Sequence, residues 1–134
     1  MTLIDSNILI DILGGDPVWC ESSVRQLADC AKRGALAIND VVYAELSAGF
    51  SMQELLDREI DSLRLTIAPM SKGALFLAGE AFRRYRASGG MQVNVLADFF
   101  IGAQASVAGW PILTRDARRY RTCFPDVALH GVGE

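Results

Sequence analysis

Apolar residues along this chain come in short bursts, separated by longer stretches with helical spacing. Thr2-Leu3-Ile4 reads as a short buried strand that ends at Asp5. Asp16-Pro17 sets an N-cap carboxylate before a proline at the first helical position, and Cys20, Val24, Leu27 and Ala31 then repeat at helical intervals up to Gly34. Ala35-Leu36-Ala37-Ile38 predicts a second strand. Asn39-Asp40 caps a helix to about Ser47, and Ser51-Met52-Gln53-Glu54 has capping-box spacing ahead of Leu55, Leu56, Ile60 and Leu63. Leu65-Thr66-Ile67-Ala68, closed by Pro69, is a third strand. A long amphipathic helix follows from Ser71 to about Ala87, with Leu75, Ala78, Phe82 and Tyr85 on one side and Gly89-Gly90 at its end. Leu96 to Val107 is a helix apolar nearly all round, and so central. Ile112-Leu113, a helical turn from Asp116 to Tyr120 and an edge strand at Ala128-Leu129 complete the pattern. Strands alternating with helices predict an α/β fold, three layers around a parallel sheet of four or five strands, in one domain over residues 1–134.

Four acids break this pattern. Asp5 stands at the carboxyl end of the first strand, inside an apolar run, with Ser6 and Asn7 beside it. Glu45 shares a helical stripe with Val41 and Val42. Asp98 shares one with Ile101, Gly102 and Ala105 in the most apolar helix, and Asp116 follows the fourth strand after Thr114. The other acids have ordinary explanations. Asp16, Asp40 and Glu54 sit at helix starts, Glu80 precedes Arg83 and Arg84 at ion-pair spacing, and Asp11 ends an initial helical turn. An unpaired buried carboxylate is costly, and two of the four lie at strand ends, where open parallel sheets bind ligands. If the four converge, their repulsion calls for a cation, and an all-oxygen set selects a hard divalent ion, Mg²⁺ or Mn²⁺. Ser6 and Asn7 would orient the Asp5 carboxylate.

Composition narrows the chemistry further. The 134 residues are 51% apolar and 22% charged, enough for a core without disulfides or structural metal. No apolar span is long enough for a membrane helix and no signal peptide is evident, so the expected compartment is the cytoplasm. Cys20, Cys30 and Cys123 agree with a reducing one, since the first two would lie roughly 15 Å apart along one helix. The single histidine, His130, is expected at the surface, which excludes catalytic triads and His-based zinc sites. Carboxylates, hydroxyls and backbone must carry the chemistry.

These segments resemble the PIN-domain ribonucleases, and more closely the VapC-type toxins of toxin–antitoxin pairs. The likeness rests on Asp5-Ser6-Asn7-Ile8-Leu9-Ile10-Asp11, Ala44-Glu45-Leu46, the run from Leu96 to Ala105 and Leu113-Thr114-Arg115-Asp116, with Arg118-Arg119-Tyr120-Arg121 before Phe124-Pro125. It implies a metal-dependent endoribonuclease whose acidic quartet is Asp5, Glu45, Asp98 and Asp116. Phosphodiester hydrolysis by a Mg²⁺- or Mn²⁺-activated water follows from it, with Thr114 as the accompanying hydroxyl. It also implies a VapB-like antitoxin that blocks the acidic site, and leaves room for a homodimer. Two positions depart from the family pattern, Ala97 where proline is common and Gln104 where histidine is common. Neither is an expected metal ligand.

A net charge of −3 does not oppose an RNA substrate, because setting aside the quartet leaves twelve acids against thirteen basic residues. Seven arginines fall in two clusters, Arg83, Arg84 and Arg86, then Arg115, Arg118, Arg119 and Arg121. The second adjoins Asp116 and is the better candidate for phosphate contact. Val41, Val42, Phe50, Met52, Leu55 and Leu56 are expected to form a groove for an amphipathic antitoxin segment. Two alternatives remain. A haloacid-dehalogenase-like phosphatase would need a second aspartate two residues after Asp5, where Asn7 stands. A non-catalytic PIN-fold interaction module would have no need of four acids.

Overall fold

In the computed structural model, residues 1–90 and 96–131 are described. Five parallel strands, β1 (Thr2–Ile4), β2 (Leu36–Ile38), β3 (Leu65–Ile67), β4 (Ile112–Leu113) and β5 (Leu129–His130), form one sheet in the order β3-β2-β1-β4-β5. Seven helices are described: α1 (Ser6–Leu13), α2 (Cys20–Arg33), α3 (Asp40–Ser47), α4 (Gln53–Ser62), α5 (Lys72–Ala87), α6 (Leu96–Ala108) and α7 (Arg118–Cys123). They cover both faces of the sheet, the expected three-layer α/β/α arrangement. Strand order runs outward from β1 through β2 to β3, then reverses to β4 and β5. The reversal opens a crevice at the carboxyl ends of β1 and β4, the customary ligand position of such sheets. Leu3 pairs with Ala37 and Ile112 in register, so β1 is the sheet's centre.

The central strands are buried on both sides, which is why β1 and β2 read as unbroken apolar runs. Helix starts follow side-chain chemistry at three points. Asn39 accepts the Val42 N–H at 2.9 Å, Ser71 accepts the Ala74 N–H at 3.1 Å, and Asp16 accepts those of Val18 and Trp19 at 2.8 and 2.9 Å. Asp16 thus caps a turn that leads into α2 rather than the helix itself.

Several sequence expectations shift by one or two residues. The capping box at Ser51 does not form. Met52 precedes α4 without a side-chain cap, and Gln53 reaches Asp57 instead at 3.4 Å. On α5 the buried line is Ala74, Ala78 and Ala81, and Leu75 is 44% exposed. Small residues win there because α5 packs closely along α6. Helix α7 starts two residues later than expected, and β5 one later. Val42 and Leu56 are fully buried core residues, which removes them from the expected antitoxin groove.

Asp11 lies in the last turn of α1, near the helix end as expected, but it is no ordinary helix-end acid, being only 2% exposed. Its carboxylate accepts from Ser23 Oγ at 2.9 Å and from Arg115 Nε and Nη2 at 2.8 and 3.0 Å. The Arg115 guanidinium also lies over the Trp19 ring at 5.1 Å. This bidentate pair ties the segment after β4 to α1 and α2. Removing one partner of a buried pair leaves an uncompensated charge. Asp11→Ala should therefore lower unfolding stability by about 2 kcal/mol, less than for a fully buried pair because Arg115 is partly solvated. Urea denaturation measures it, and a change below about 0.5 kcal/mol would show that the pair is dispensable.

Candidate active site

The site begins with Asp5, which leaves β1 and precedes the first turn of α1. Its N–H donates to Leu113 O at 2.9 Å, continuing the sheet hydrogen bonding, and the residue is 4% exposed. Oδ2 accepts from Tyr120 Oη at 2.8 Å and Thr114 Oγ1 at 2.9 Å. Thr114 Oγ1 in turn accepts from the Asp116 N–H at 3.1 Å and from Asn7 Nδ2 at 3.3 Å, so its hydrogen-bonding capacity is full. Ser6 Oγ lies 3.5 Å from Asp5 Oδ1, a much looser contact. One carboxylate oxygen is thus fixed by two hydroxyls, and the other is held loosely.

Burial pushes the Asp5 carboxyl above its ordinary pKa, although Tyr120, Thr114 and the N–H groups of Ser6 and Asn7 pull it down. Asp98, in the first turn of α6, is pushed up to about 6 by burial and by the Asp5 charge, against the lowering effect of Arg119. Glu45, on α3 at the exposed rim, is also raised, by burial of its carboxyl and by Asp5, while Ser6 lowers it. The Tyr120 phenol is pushed well above 10 by burial and by all three of these carboxylates. Three acids from β1, α3 and α6 therefore share one electrostatic environment.

Asp116 stands apart. Its carboxylate is held below the ordinary range chiefly by Arg118, whose Nε lies 3.3 Å away, and its side chain is half exposed. Only its backbone N–H reaches the Asp5 network, through Thr114. Asp98 in turn is paired with Arg119 Nη1 at 2.6 Å. Among the described residues, no three of His, Cys, Asp or Glu stand close enough together to hold one ion as arranged here. The donor set nevertheless suits a hard divalent cation. It is all oxygen, two of its acids are raised partly by the charge of Asp5, and Asn7 Oδ1 beside it is a buried acceptor without a protein partner.

The expected arginines are differently engaged. Arg115 is held by Asp11, Arg118 by Asp116 and Arg119 by Asp98, whereas Arg121 is exposed with no carboxylate partner among the described residues. Gln104 lies buried in α6, and its amide donates to Ala68 O at 3.1 Å, tying down the chain after β3. Tyr120 had no signal in the sequence beyond its place in a basic segment. Its phenol contact with Asp5 becomes visible only once α7 is folded back onto β1.

The family model for the PIN domain matches residues 2–125. The chain belongs to the PIN-domain family. A search of curated proteins finds no match. Among solved structures this PIN domain is similar to VapBC2 from Rickettsia felis bound to a DNA fragment from its promoter, with 22% identity, TM-score 0.75 and coverage of 99% of this chain and 98% of that one. It is also similar to VapBC-1 from nontypeable Haemophilus influenzae, with 18% identity, TM-score 0.72 and 96% coverage of both chains. FitAcB from Neisseria gonorrhoeae gives 22%, 0.69 and 96% of both. At such identities the likeness establishes the shared fold.

A raised carboxyl pKa has a signed consequence for stability. Between the unfolded value, near 4, and about 6, the folded metal-free protein binds more protons at Asp98 than the unfolded chain does. Its contribution is thus complete below pH 4 and is lost as pH rises through 6; Asp5 and Glu45 act in the same direction. Asp98→Asn should flatten this fall and stabilise the metal-free protein at pH 7 by about 1 kcal/mol, after allowing for the broken ion pair with Arg119. Thermal melts in chelator at pH 4.5 and 7 check it. A variant less stable than wild type at pH 7 would mark Asp98 as an ordinary structural acid.

Proposed function

We propose that this PIN domain is a metal-dependent endoribonuclease and the toxin of a toxin–antitoxin pair. The observation that carries the nuclease reading is the joint elevation of Asp5, Glu45 and Asp98 at the sheet's crossover crevice. Such acids are destabilising unless a cation uses them. Asp5, through its loosely held Oδ1, and Asp98 would hold Mg²⁺ or Mn²⁺, with Glu45 completing the set from the rim and Asp116 from the loop after β4. The ion's chemistry is to lower the pKa of a water and to stabilise charge developing on the scissile phosphate. The Tyr120 and Thr114 hydroxyls favour the ionised form of Asp5 against its burial and aim it, and Ser6 stands between Asp5 and Glu45. No side chain is required as a covalent nucleophile. The phosphatase alternative is disfavoured by Asn7, whose amide is a neutral donor to Thr114 where a second acid would be needed.

Support for an antitoxin comes from a groove beside the acids. A cavity of about 430 Å³ between α1 and α3 is lined by Ile10, Leu13, Leu46 and Phe50, and by Glu45. Ile10 is half exposed there although its neighbours Ile8 and Leu9 are core. An amphipathic segment laid in this groove could place a basic side chain on Glu45. For RNA, Arg121 is the exposed arginine of the α7 cluster that stands clear of the acids.

Purified protein should cleave total cellular RNA with Mg²⁺ or Mn²⁺ and stop in chelator, and Asp98→Asn should fall to background. Cleavage that persists in chelator or in that variant would refute the metal mechanism. Arg121→Glu should weaken RNA binding and reduce the salt slope by about one, and an unchanged slope would take Arg121 off the RNA path. Expression without a partner should arrest growth. Harmless expression of a chain that cleaves RNA when purified would refute the toxin assignment.

A further inference from the structure

Three consecutive residues of α7 each hold a different aspartate. Arg118 binds Asp116, Arg119 binds Asp98 and Tyr120 binds Asp5. Tyr120 supplies a neutral donor, and the exposed Arg118–Asp116 pair at 3.3 Å is loose. The Arg119–Asp98 pair differs from both. Nη1 lies 2.6 Å from Oδ2, and the two side chains are only 22% and 30% exposed. The same guanidinium sits 5.7 Å from the Tyr85 ring centroid, and Tyr85 packs on Phe99, the residue after Asp98. Asp98 on α6 and Tyr85 on α5, which packs on the same turn of α6, are thus among the groups that hold Arg119. The end of α7 is fixed as well, because Phe124 lies so close to α6 that a Cβ on Gly102 would collide with its ring.

Arg119 takes Asp98 Oδ2, and a divalent ion held by the same carboxylate would draw on the same negative charge and meet the guanidinium's own positive charge at close range. Resting on the metal-nuclease reading, we propose that Arg119 is a resident counter-ion that competes with the metal for Asp98 and thereby sets the site's ion affinity. In the metal-free protein it supplies the positive charge that the clustered acids require. Ion uptake must loosen the pair, and the coupling is reciprocal: the ion weakens Arg119's hold as much as Arg119 weakens the ion's. A pair with a purely structural role would have the opposite consequence, since removing it would misplace Asp98 and weaken ion binding. General electrostatic repulsion from α7 needs no contact and is screened by solvent, so exposed Arg121, which stands clear of the acids, reports its background level.

Calorimetric titration of Mn²⁺ into the metal-free chain, without RNA, separates these cases. Arg119→Gln should bind Mn²⁺ about tenfold more tightly than wild type, and Arg121→Gln should change the affinity less than about twofold. In parallel, Mg²⁺ titrated into wild type should shift the Arg119 guanidinium NMR signals with the same saturation curve as ion uptake. An Arg119→Gln protein that binds Mn²⁺ no more tightly than Arg121→Gln would overturn the proposal. So would guanidinium signals unchanged at saturating Mg²⁺, an observation that needs no variant to fold. A wild type that takes up no divalent ion would overturn the metal-nuclease reading itself, and this inference with it.

Discussion

The structure depends on one buried carboxylate. Asp5 sits at the end of the central strand, where an ionised group without partners would cost several kcal/mol. The adjacent N–H groups of Ser6 and Asn7 help, but its side-chain partners come from far along the chain: Thr114 after β4 and Tyr120 on α7. Satisfying Asp5 therefore requires the strand crossover to be complete and α7 to lie over it. The compensation is partial, since its pKa remains raised. That residual imbalance is shared with Glu45 and Asp98, whose carboxyls are likewise raised, and it is the feature on which the proposed cation site rests.

Two further interactions keep this arrangement in register. The Asp11–Arg115 pair fastens the segment after β4 to α1 and α2 immediately beside Thr114. At the other end of α7, Phe124 seats against the bare Gly102 backbone of α6. Between these anchors α7 is only six residues long, so its side chains have little freedom to miss the acids. Fold and site are thus not separable here, because the helix that closes the core is also the one that touches three of the four expected ligands.

Much of this was legible beforehand, for identifiable reasons. A carboxylate inside an apolar run is conspicuous, which exposed Asp5 and Asp98, and Glu45 followed from its stripe with Val42. The parallel sheet followed from alternating strands and helices. Asp11 was not legible, because an acid near a helix end is ordinary and its partner Arg115 is 104 positions away. Nor was the division within the quartet. Arg118 lies two residues from Asp116 and draws it aside, an effect of local geometry that spacing alone does not reveal. On α5 the apolar pattern points to Leu75 on the packed side, but close packing on α6 selects Ala74 in its place. Tyr120 shows the same limit from the other direction: its role depends on an approach of α7 to β1 that no local pattern encodes.

The claim beneath all of this is that Asp5, Glu45 and Asp98 form one cation site. Anomalous diffraction from crystals soaked in Mn²⁺ tests it most directly. The account predicts a peak in the crevice beyond β1 and β4, bonded to Asp5 and Asp98, with the Arg119–Asp98 distance lengthened beyond the 2.6 Å of the metal-free pair. A saturated crystal with Asp98 still closed on Arg119 and no peak beside Asp5 would contradict it.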